Sequence, residues 1–244
     1  MSIEGLFPID KWKFKSNFIL KNLPAEEYEI LSSNMTRQKY KKGDIVFREG
    51  SVPSGVFYLE KGKLKKYKLD LNGKEQIIYV SNTGDLIGYH AVIANERFQD
   101  SAAAIEDSII TFIPKEDFLE AVSKSKILTK RLLRALSHEF AVLSNSISVL
   151  AQRSVRERLA IALIVLREKF KEESSPDKEI VIDISRNDLS NIVGTAHENL
   201  VRFLKEFKVA NILQTEGRKI YIKDVNKLIE LSGYGDISSR KSLS

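Results

Sequence analysis

The sequence predicts an α+β protein in which a β-roll is followed by a long helix and then by a small helical domain with a β-hairpin. Short β-prone runs separated by turn residues recur between residues 39 and 113. A helical apolar repeat follows residue 114, and helix-capping patterns occur after residue 153. A chain of 244 residues suits two domains joined by a helix. The predicted boundaries are 1–123 for the roll with an N-terminal helix, 124–153 for the long helix and 154–244 for the last domain.

The predicted roll begins with a short helix from Pro24 to Ser33 and continues as strands. Strands of this length with a glycine or other turn residue every ten or so positions are typical of a compact all-β barrel or roll. Between two of these runs, Asn72 and Gly73 predict a hairpin with a type I′ turn, because both central positions of that turn need a positive φ.

The long helix carries an apolar seam that another helix can cover. Six residues follow the alternating three- and four-residue spacing of a heptad seam: Leu133, Leu136, Phe140, Leu143, Ile147 and Leu150. One interpretation is that this face covers the β-roll of its own chain, and the other is a coiled coil between two copies. The spacing alone favours neither.

Capping patterns divide the last domain into three helices. Each pairs a hydroxyl residue with a carboxylate three positions later: Ser154 with Glu157, Ser185 with Asp188, and Thr195 with Glu198. The first helix should run to about Phe170, and a polar loop over 171–179 should precede a short strand. A hairpin with basic residues at its tip ends the domain. Helix, strand, helix, turn, helix, hairpin is the order of a winged helix-turn-helix.

The third helix of this domain has side chains suited to contacts with DNA. In "SNIVGTAHENLVRFLKEF" the apolar residues recur on one helical face and the polar residues lie on the other. Arginine can donate two hydrogen bonds to guanine, glutamate can accept from cytosine, and basic residues on a hairpin suit phosphates. A solvated charged face is the alternative interpretation. The candidate DNA-binding residues are Thr195, His197, Glu198, Asn199, Arg202, Arg218 and Lys219.

Composition favours a polyanionic partner and excludes several kinds of site. The net charge is +6, which suits nucleic acid without identifying it. The absence of cysteine excludes disulfides, thiolate zinc sites and iron–sulfur clusters held by cysteine. The three histidines are widely separated, so we expect no metal site. We also expect no enzyme activity, no membrane span and a cytoplasmic location, since no catalytic constellation, signal peptide or long apolar run occurs.

The order of these segments, together with "SRNDLSNIVGTAHENLVRFLKEF", resembles the Crp/Fnr family of bacterial transcription regulators over about residues 20–233. The resemblance implies a jelly-roll (double-stranded β-helix) sensor domain of the cyclic-nucleotide-binding type. It also implies a homodimer on a pseudo-palindromic site in double-stranded DNA, with RNA polymerase as a further partner. The family's recognition helix usually begins with an Arg-Glu pair and has an arginine four residues after the glutamate. His197, Glu198 and Arg202 occupy these positions, so His197 predicts a different base preference at one position.

The resemblance also locates a candidate effector pocket, in which the family's ligand residues are replaced. The family uses a Gly-Glu pair for the ribose and an arginine followed by serine or threonine for the cyclic phosphate. This chain has Gly88 and Tyr89 at the first place, with His90 next to them. At the second place it has Asp100 and Ser101, and a carboxylate there would repel a phosphate.

We therefore expect no cofactor and no cyclic nucleotide, while another small-molecule effector and a constitutive dimer both remain open. His90 is the histidine placed to ligate a haem iron, and a surface or hydrogen-bonded histidine is the alternative. The function predicted is a DNA-binding transcription regulator. The alternative function is a ligand-binding module that regulates a protein partner.

Overall fold

The structure, a computed structural model, describes residues 3–14, 16–171 and 179–234. The chain forms two compact units, Phe14–Ala141 and a second that joins Met1–Lys13 to Val142–Ser244. The predicted boundaries grouped residues 1–13 with the roll, whereas residues 3–13 pack with the C-terminal segment. There the Phe7 ring lies 6.4 Å from Trp12 and 5.2 Å from Tyr234, between ring centroids. The centre of the predicted loop over 171–179 lies outside the described residues.

Two four-stranded antiparallel sheets form the first unit, and the predicted jelly-roll is confirmed. The strands are β1 Thr36–Tyr40, β2 Ile45–Phe47, β3 Gly55–Lys61, β4 Lys63–Leu69, β5 Glu75–Asn82, β6 Leu86–Ile87, β7 Ser101–Ala104 and β8 Ser108–Pro114. They are ordered β1-β8-β3-β6 in one sheet and β2-β7-β4-β5 in the other. Apolar residues from both sheets, among them Phe57, Leu64 and Ile110, form one buried cluster, so the sheets share a core.

The other elements of the two units are mostly helices. Those up to the long helix are a 3-10 turn Ile9–Trp12, α1 Ala25–Ser32, α2 Tyr89–Ala94, α3 Lys115–Lys124 and α4 Lys126–Gln152. The remaining elements are α5 Val155–Phe170, β9 Val181–Asp183, α6 Arg186–Val193, α7 His197–Val209, β10 Leu213–Glu216, β11 Lys219–Ile222 and α8 Val225–Leu231. The order helix, strand, helix, helix, hairpin is the one the sequence predicted for the winged domain.

The hairpin between β4 and β5 forms, but its predicted type I′ turn is wrong. Of the two central residues only Gly73 has a positive φ, of 76°. The Gly73 N–H donates to the Asp70 carbonyl oxygen at 3.0 Å. The Asp70 carboxylate also accepts from the N–H groups of Asn72 at 2.8 Å and Lys74 at 2.9 Å. These contacts hold Asn72 in an ordinary conformation, so one left-handed glycine suffices.

The long helix α4 covers the roll with a face other than the predicted seam. Leu128, Leu132 and Ala135 are buried in a cluster that includes residues of β3 and α3. Five seam residues are exposed instead, with exposed fractions of 61% for Leu133, 75% for Phe140, 37% for Leu143, 68% for Ile147 and 43% for Leu150. Leu136 is partly buried against the cluster. Apart from Leu136, the seam is therefore an apolar surface that the described part of the chain leaves exposed.

Two of the three predicted caps begin helices in the C-terminal unit. Ser154 and Glu157 form a reciprocal capping box at the start of α5. The Ser185 hydroxyl accepts from the Asp188 N–H at 2.9 Å at the start of α6.

The third predicted cap, Thr195 with Glu198, is wrong. The residue preceding α7 is Ala196, which makes no side-chain cap. Gly194 ends α6 with a φ of 68°, and Thr195 is buried in the turn that follows. The helix thus begins one residue later than the hydroxyl–carboxylate spacing predicted.

Candidate nucleic-acid interface

The helix α7 has a buried apolar face and an exposed polar face. Leu200, Leu204 and Phe207 are buried in the C-terminal unit. Phe203, at the same helical spacing, is only half-buried, and the Arg202 guanidinium lies 4.7 Å above its ring. Packing of the apolar face orients the opposite face outward, and stacking on Phe203 restrains the arginine near the middle of that face.

The polar face presents donors and acceptors near the start of α7. His197, Glu198, Asn199 and Arg202 are all exposed. Arg202 donates to the Asn199 side-chain oxygen at 3.3 Å. Over the described part of the chain, no hydrogen bond or ion pair engages the side chain of His197 or Glu198. Because the predicted capping box does not form, the Glu198 carboxylate is available for an outside partner, and its place in the first turn suits the helix dipole.

The hairpin beside this helix carries the predicted basic residues in different states. Lys219 is exposed, whereas Arg218 is partly buried and its Nε lies 3.1 Å from the Asp183 carboxylate. Gly217 allows the tight turn with a φ of 54°. Part of the Arg218 charge is therefore already compensated, and Lys219 is the freer cation of the two.

Arg186, which the sequence reasoning missed, connects this hairpin to α6. Its guanidinium donates to the Gly217 carbonyl oxygen at 2.9 Å and to the Arg218 carbonyl oxygen at 3.2 Å. A cation in the first turn of a helix is unfavourable beside the helix dipole, so its position there was a signal of a partner elsewhere.

In the candidate effector pocket, the polar groups that follow Gly88 bind their own chain. Gly88 precedes α2 with a φ of 82°. Tyr89 is fully buried, and its hydroxyl donates to the Glu139 carboxylate of α4 at 2.5 Å. The other carboxylate oxygen of Glu139 lies 2.5 Å from Nε2 of His90. One glutamate of the long helix therefore holds both residues of α2.

Hydrogen bonds and charges from neighbouring groups keep Glu139 ionised although it is buried. Burial raises the pKa of a carboxyl group, but hydrogen bonding and charge from His90, the nearby charge of Lys66 and the hydrogen bond from Tyr89 together hold the pKa of Glu139 below its usual value. Burial, followed by the Glu139 charge, raises the pKa of Tyr89 far above its usual value. The phenol thus remains a donor to a carboxylate.

At the second place in the candidate pocket, Asp100 and Ser101 also have partners from their own chain. Lys66 of β4 is buried and its Nζ lies 3.2 Å from the Asp100 carboxylate. The Ser101 hydroxyl accepts from the Glu49 N–H at 2.9 Å. The sequence reasoning missed Lys66, which compensates the charge that Asp100 brings to this place.

Glu139 was also missed, although the sequence contained a signal for it. Leu128, Leu132 and Ala135 form a second apolar stripe with the spacing 4-3, and Glu139 continues that stripe by four residues. A charged residue in a buried stripe needs a partner.

Among the described residues, no group of histidine and carboxylate side chains could hold a metal ion. No described helix combines the length and the apolar character needed to cross a bilayer.

Comparisons with known proteins match both units. Residues 37–125 match the family model of the cyclic nucleotide-binding domain, and residues 157–231 match that of the Crp-like helix-turn-helix domain. The fumarate and nitrate reduction regulatory protein of Vibrio cholerae is 29% identical over 212 residues, which cover 86% of this chain and 84% of that protein.

Solved structures of the same fold include FixK2 from Bradyrhizobium japonicum, with a TM-score of 0.72 and 20% identity over 81% of this chain and 97% of that one. A Crp/Fnr-family transcriptional regulator from Thermus thermophilus has a TM-score of 0.68 and 21% identity over 81% of this chain and 98% of that one.

Proposed function

The chain belongs to the Crp/Fnr family of transcription regulators, and we propose that it acts as a homodimer on a pseudo-palindromic DNA site, without control by cyclic nucleotides. It is a DNA-binding regulator and not an enzyme. The observation that carries the proposal is the polar face of α7, where His197 and Glu198 lie exposed with no intrachain partner in the described chain. Family membership and this free face favour DNA over the alternative of a protein partner.

Each residue of that face has a distinct role in the proposal. Arg202 suits a bidentate contact with guanine, and Glu198 suits the exocyclic amine of cytosine. His197 and Asn199 lie at the start of the helix, the part that reaches base edges when such a helix enters the major groove. Lys219 and Arg218 are assigned to phosphates. Thr195 is buried in the turn, so it is assigned at most a contact with the DNA backbone.

The homodimer is supported by the exposed seam of α4. Phe140 and Ile147 are 75% and 68% exposed, and large apolar residues in such a row favour association. Two copies paired along this seam would present two α7 helices related by a two-fold axis, which matches a pseudo-palindrome. We further propose a cytoplasmic location and contact with RNA polymerase, both from the family.

The dimer is tested by the double variant Phe140→Glu and Leu143→Glu. Two carboxylates in each copy would face two in the other, so we expect monomers in analytical ultracentrifugation and weaker specific DNA binding. The matched control is Ala141→Glu with Ser148→Glu, two exposed positions on the same helix outside the seam. A double seam variant that remains dimeric contradicts the assignment of the interface.

Independence from cyclic nucleotides is supported by the occupied pocket. Tyr89 and His90 hold Glu139, and Asp100 holds Lys66. A cyclic nucleotide would have to break these contacts and place its phosphate next to a carboxylate. No effector and no cofactor form part of the proposal, and His90 is assigned to Glu139 rather than to a haem iron.

Selection of DNA sites from random sequence tests the function as a whole. The full-length chain should enrich inverted half-sites whose centres are about 34 to 36 Å apart, one turn of B-DNA. Enrichment of no inverted repeat, or of single half-sites only, contradicts the proposed homodimeric regulator.

A further inference from the structure

Arg158 of α5 donates hydrogen bonds to the ends of two other helices at once. Its Nε donates to the Val193 carbonyl oxygen at 2.9 Å, and its Nη2 donates to that of Gly194 at 3.0 Å. Its Nη1 donates to the carbonyl oxygens of Arg153 at 3.0 Å and Leu150 at 3.4 Å. The first pair ends α6, directly before the turn into α7, and the second pair ends α4.

The last carbonyl groups of a helix have no partner within the helix and carry a partial negative charge. A guanidinium group suits them because its donors point outward in one rigid plane and its charge is permanent. Lysine offers a single ammonium on a flexible chain and would serve one helix end at a time. The geometry of Arg158 thus requires arginine.

The short connection between α4 and α5 explains why the contacts of Arg158 matter for the position of α7. Only Arg153 and Ser154 separate the two helices in sequence. These two residues form the corner between α4 and α5. Both contact Glu157, through the capping box and through an ion pair of 2.8 Å, and these contacts are local to the corner. Arg158, by contrast, joins the corner to the end of α6, and therefore links the long helix to the turn that precedes α7.

We propose that Arg158 is a positioning residue that sets how α7 is held relative to the end of α4, and thereby the spacing of the two half-sites that the dimer accepts. The inference rests on the proposed homodimer. If the two α4 helices pair, the separation of the two α7 helices depends on the corner in each copy. A rigid corner accepts one spacing, and a loose corner accepts several. The donors of Arg158 are directed at carbonyl oxygens, so the residue acts through α7 and not on DNA.

The test is a site selection in which the gap between two half-sites is varied base pair by base pair. The full-length wild type, Arg158→Ala and Arg158→Lys are compared. The control is Arg156→Ala, which removes a surface ion pair of 2.7 Å between α5 and Glu206 of α7 but leaves the carbonyl contacts intact. Single half-sites are measured in parallel, and thermal unfolding of each variant checks that it is folded.

We expect the wild type and Arg156→Ala to prefer one spacing. In both Arg158 variants the preference for that spacing over its neighbours should fall about tenfold, the size expected from loss of a charge-assisted hydrogen bond. Base preferences within each half-site should not change. If Arg158→Ala does not fold, Arg158→Lys, which keeps the charge and most of the alkyl chain, carries the test.

Retention of a sharp spacing by either folded Arg158 variant overturns the inference. So does an equal loss in Arg156→Ala, or a changed base preference in single half-sites, because the effect would then lie in α7 itself. A wild type that selects no paired half-sites is a different result, since it contradicts the homodimer on which the inference rests.

Discussion

The pocket in the β-roll and the polar face of α7 differ in how their functional groups are satisfied. In the pocket, Tyr89 and Asp100 are each held by a partner from another element of the same unit. On α7, His197 and Glu198 face solvent with no partner in the described chain. Buried polar groups must find partners inside the protein, whereas exposed groups bind water until a ligand replaces it.

In the proposed function one site of the fold, the polar face of α7, is open to its ligand, and the other, the pocket in the β-roll, is closed by intrachain contacts. For a ligand to enter the pocket, Glu139 would have to lose its partners while still buried, which is costly. For DNA to reach the side chains of His197 and Glu198, only water must leave. The function is therefore inferred from the donors and acceptors that are free to bind a ligand, and not from the fold alone.

The largest effect is expected from breaking the closed site. Glu139→Ala should lower the free energy of unfolding by about 3 kcal/mol, because it leaves the buried Tyr89 hydroxyl and His90 without their acceptor. Glu139→Gln keeps an acceptor of the same shape and should lose about half as much. Urea unfolding of both variants measures this. If Glu139→Ala is as stable as the wild type, the contacts of Glu139 with Tyr89 and His90 do not stabilise the fold.

The pH dependence of that loss gives the sign of the Glu139 charge. The pKa of Glu139 is lowered in the folded chain by His90, Lys66 and Tyr89, against the opposing effect of burial, from a usual value of 4.5. Its contribution is therefore complete above pH 4.5 and is lost as the pH falls through the lower, folded value. The gap in stability between wild type and Glu139→Ala should shrink in acid, and a gap that widens there contradicts an ionised Glu139.

The next largest effect is expected on the open site. Arg202→Ala should weaken binding to the selected site by about 2 kcal/mol and binding to random DNA very little, because one base pair loses its bidentate partner. The matched control is Lys205→Ala, an exposed cation one turn further along α7. Fluorescence anisotropy on both DNAs measures the ratio, and an equal loss on the two would remove Arg202 from base recognition.

These two sites also show what sequence reasoning can reach. Ser154 and Ser185 were recognised as caps because the spacing of a cap is local in the chain. Thr195 failed the same test because Gly194, in a left-handed conformation, delays the next helix by one residue. Local spacing predicts a helix start only when the preceding turn is known.

The contacts in the pocket of the β-roll could not be predicted from the sequence. Tyr89 meets Glu139 fifty positions later, and Lys66 meets Asp100 only because β4 pairs with β7. Such contacts depend on the register of a sheet and on the face of a helix, which composition and motif do not specify. The residues of the pocket were located by resemblance, but their partners could come only from the folded chain.

A smaller effect is expected from a residue that positions DNA without distinguishing sequence. Lys219→Ala should weaken selected and random DNA alike and lower the slope of log affinity against log salt by about one, since one phosphate contact is lost. Arg218→Ala should change the slope less, because its charge is partly compensated by Asp183. Titrations at several salt concentrations compare the two, and a larger slope change for Arg218 would reverse the assignment.

The smallest effect, none at all, is expected when cyclic nucleotides are offered to the closed site. Isothermal titration of the wild type with cyclic AMP and cyclic GMP at micromolar concentrations should give no binding heat. Asp100→Ala removes the carboxylate and frees Lys66, so this variant is the more permissive one for a phosphate. It too should show no binding, because Tyr89 and Glu139 still close the other half of the pocket. Binding by the variant alone would mean that charge at Asp100, and not the contact with Glu139, excludes the ligand. Tight binding by the wild type would mean that the intrachain contacts open readily, and the contrast between a closed pocket and an open helix face would then be wrong.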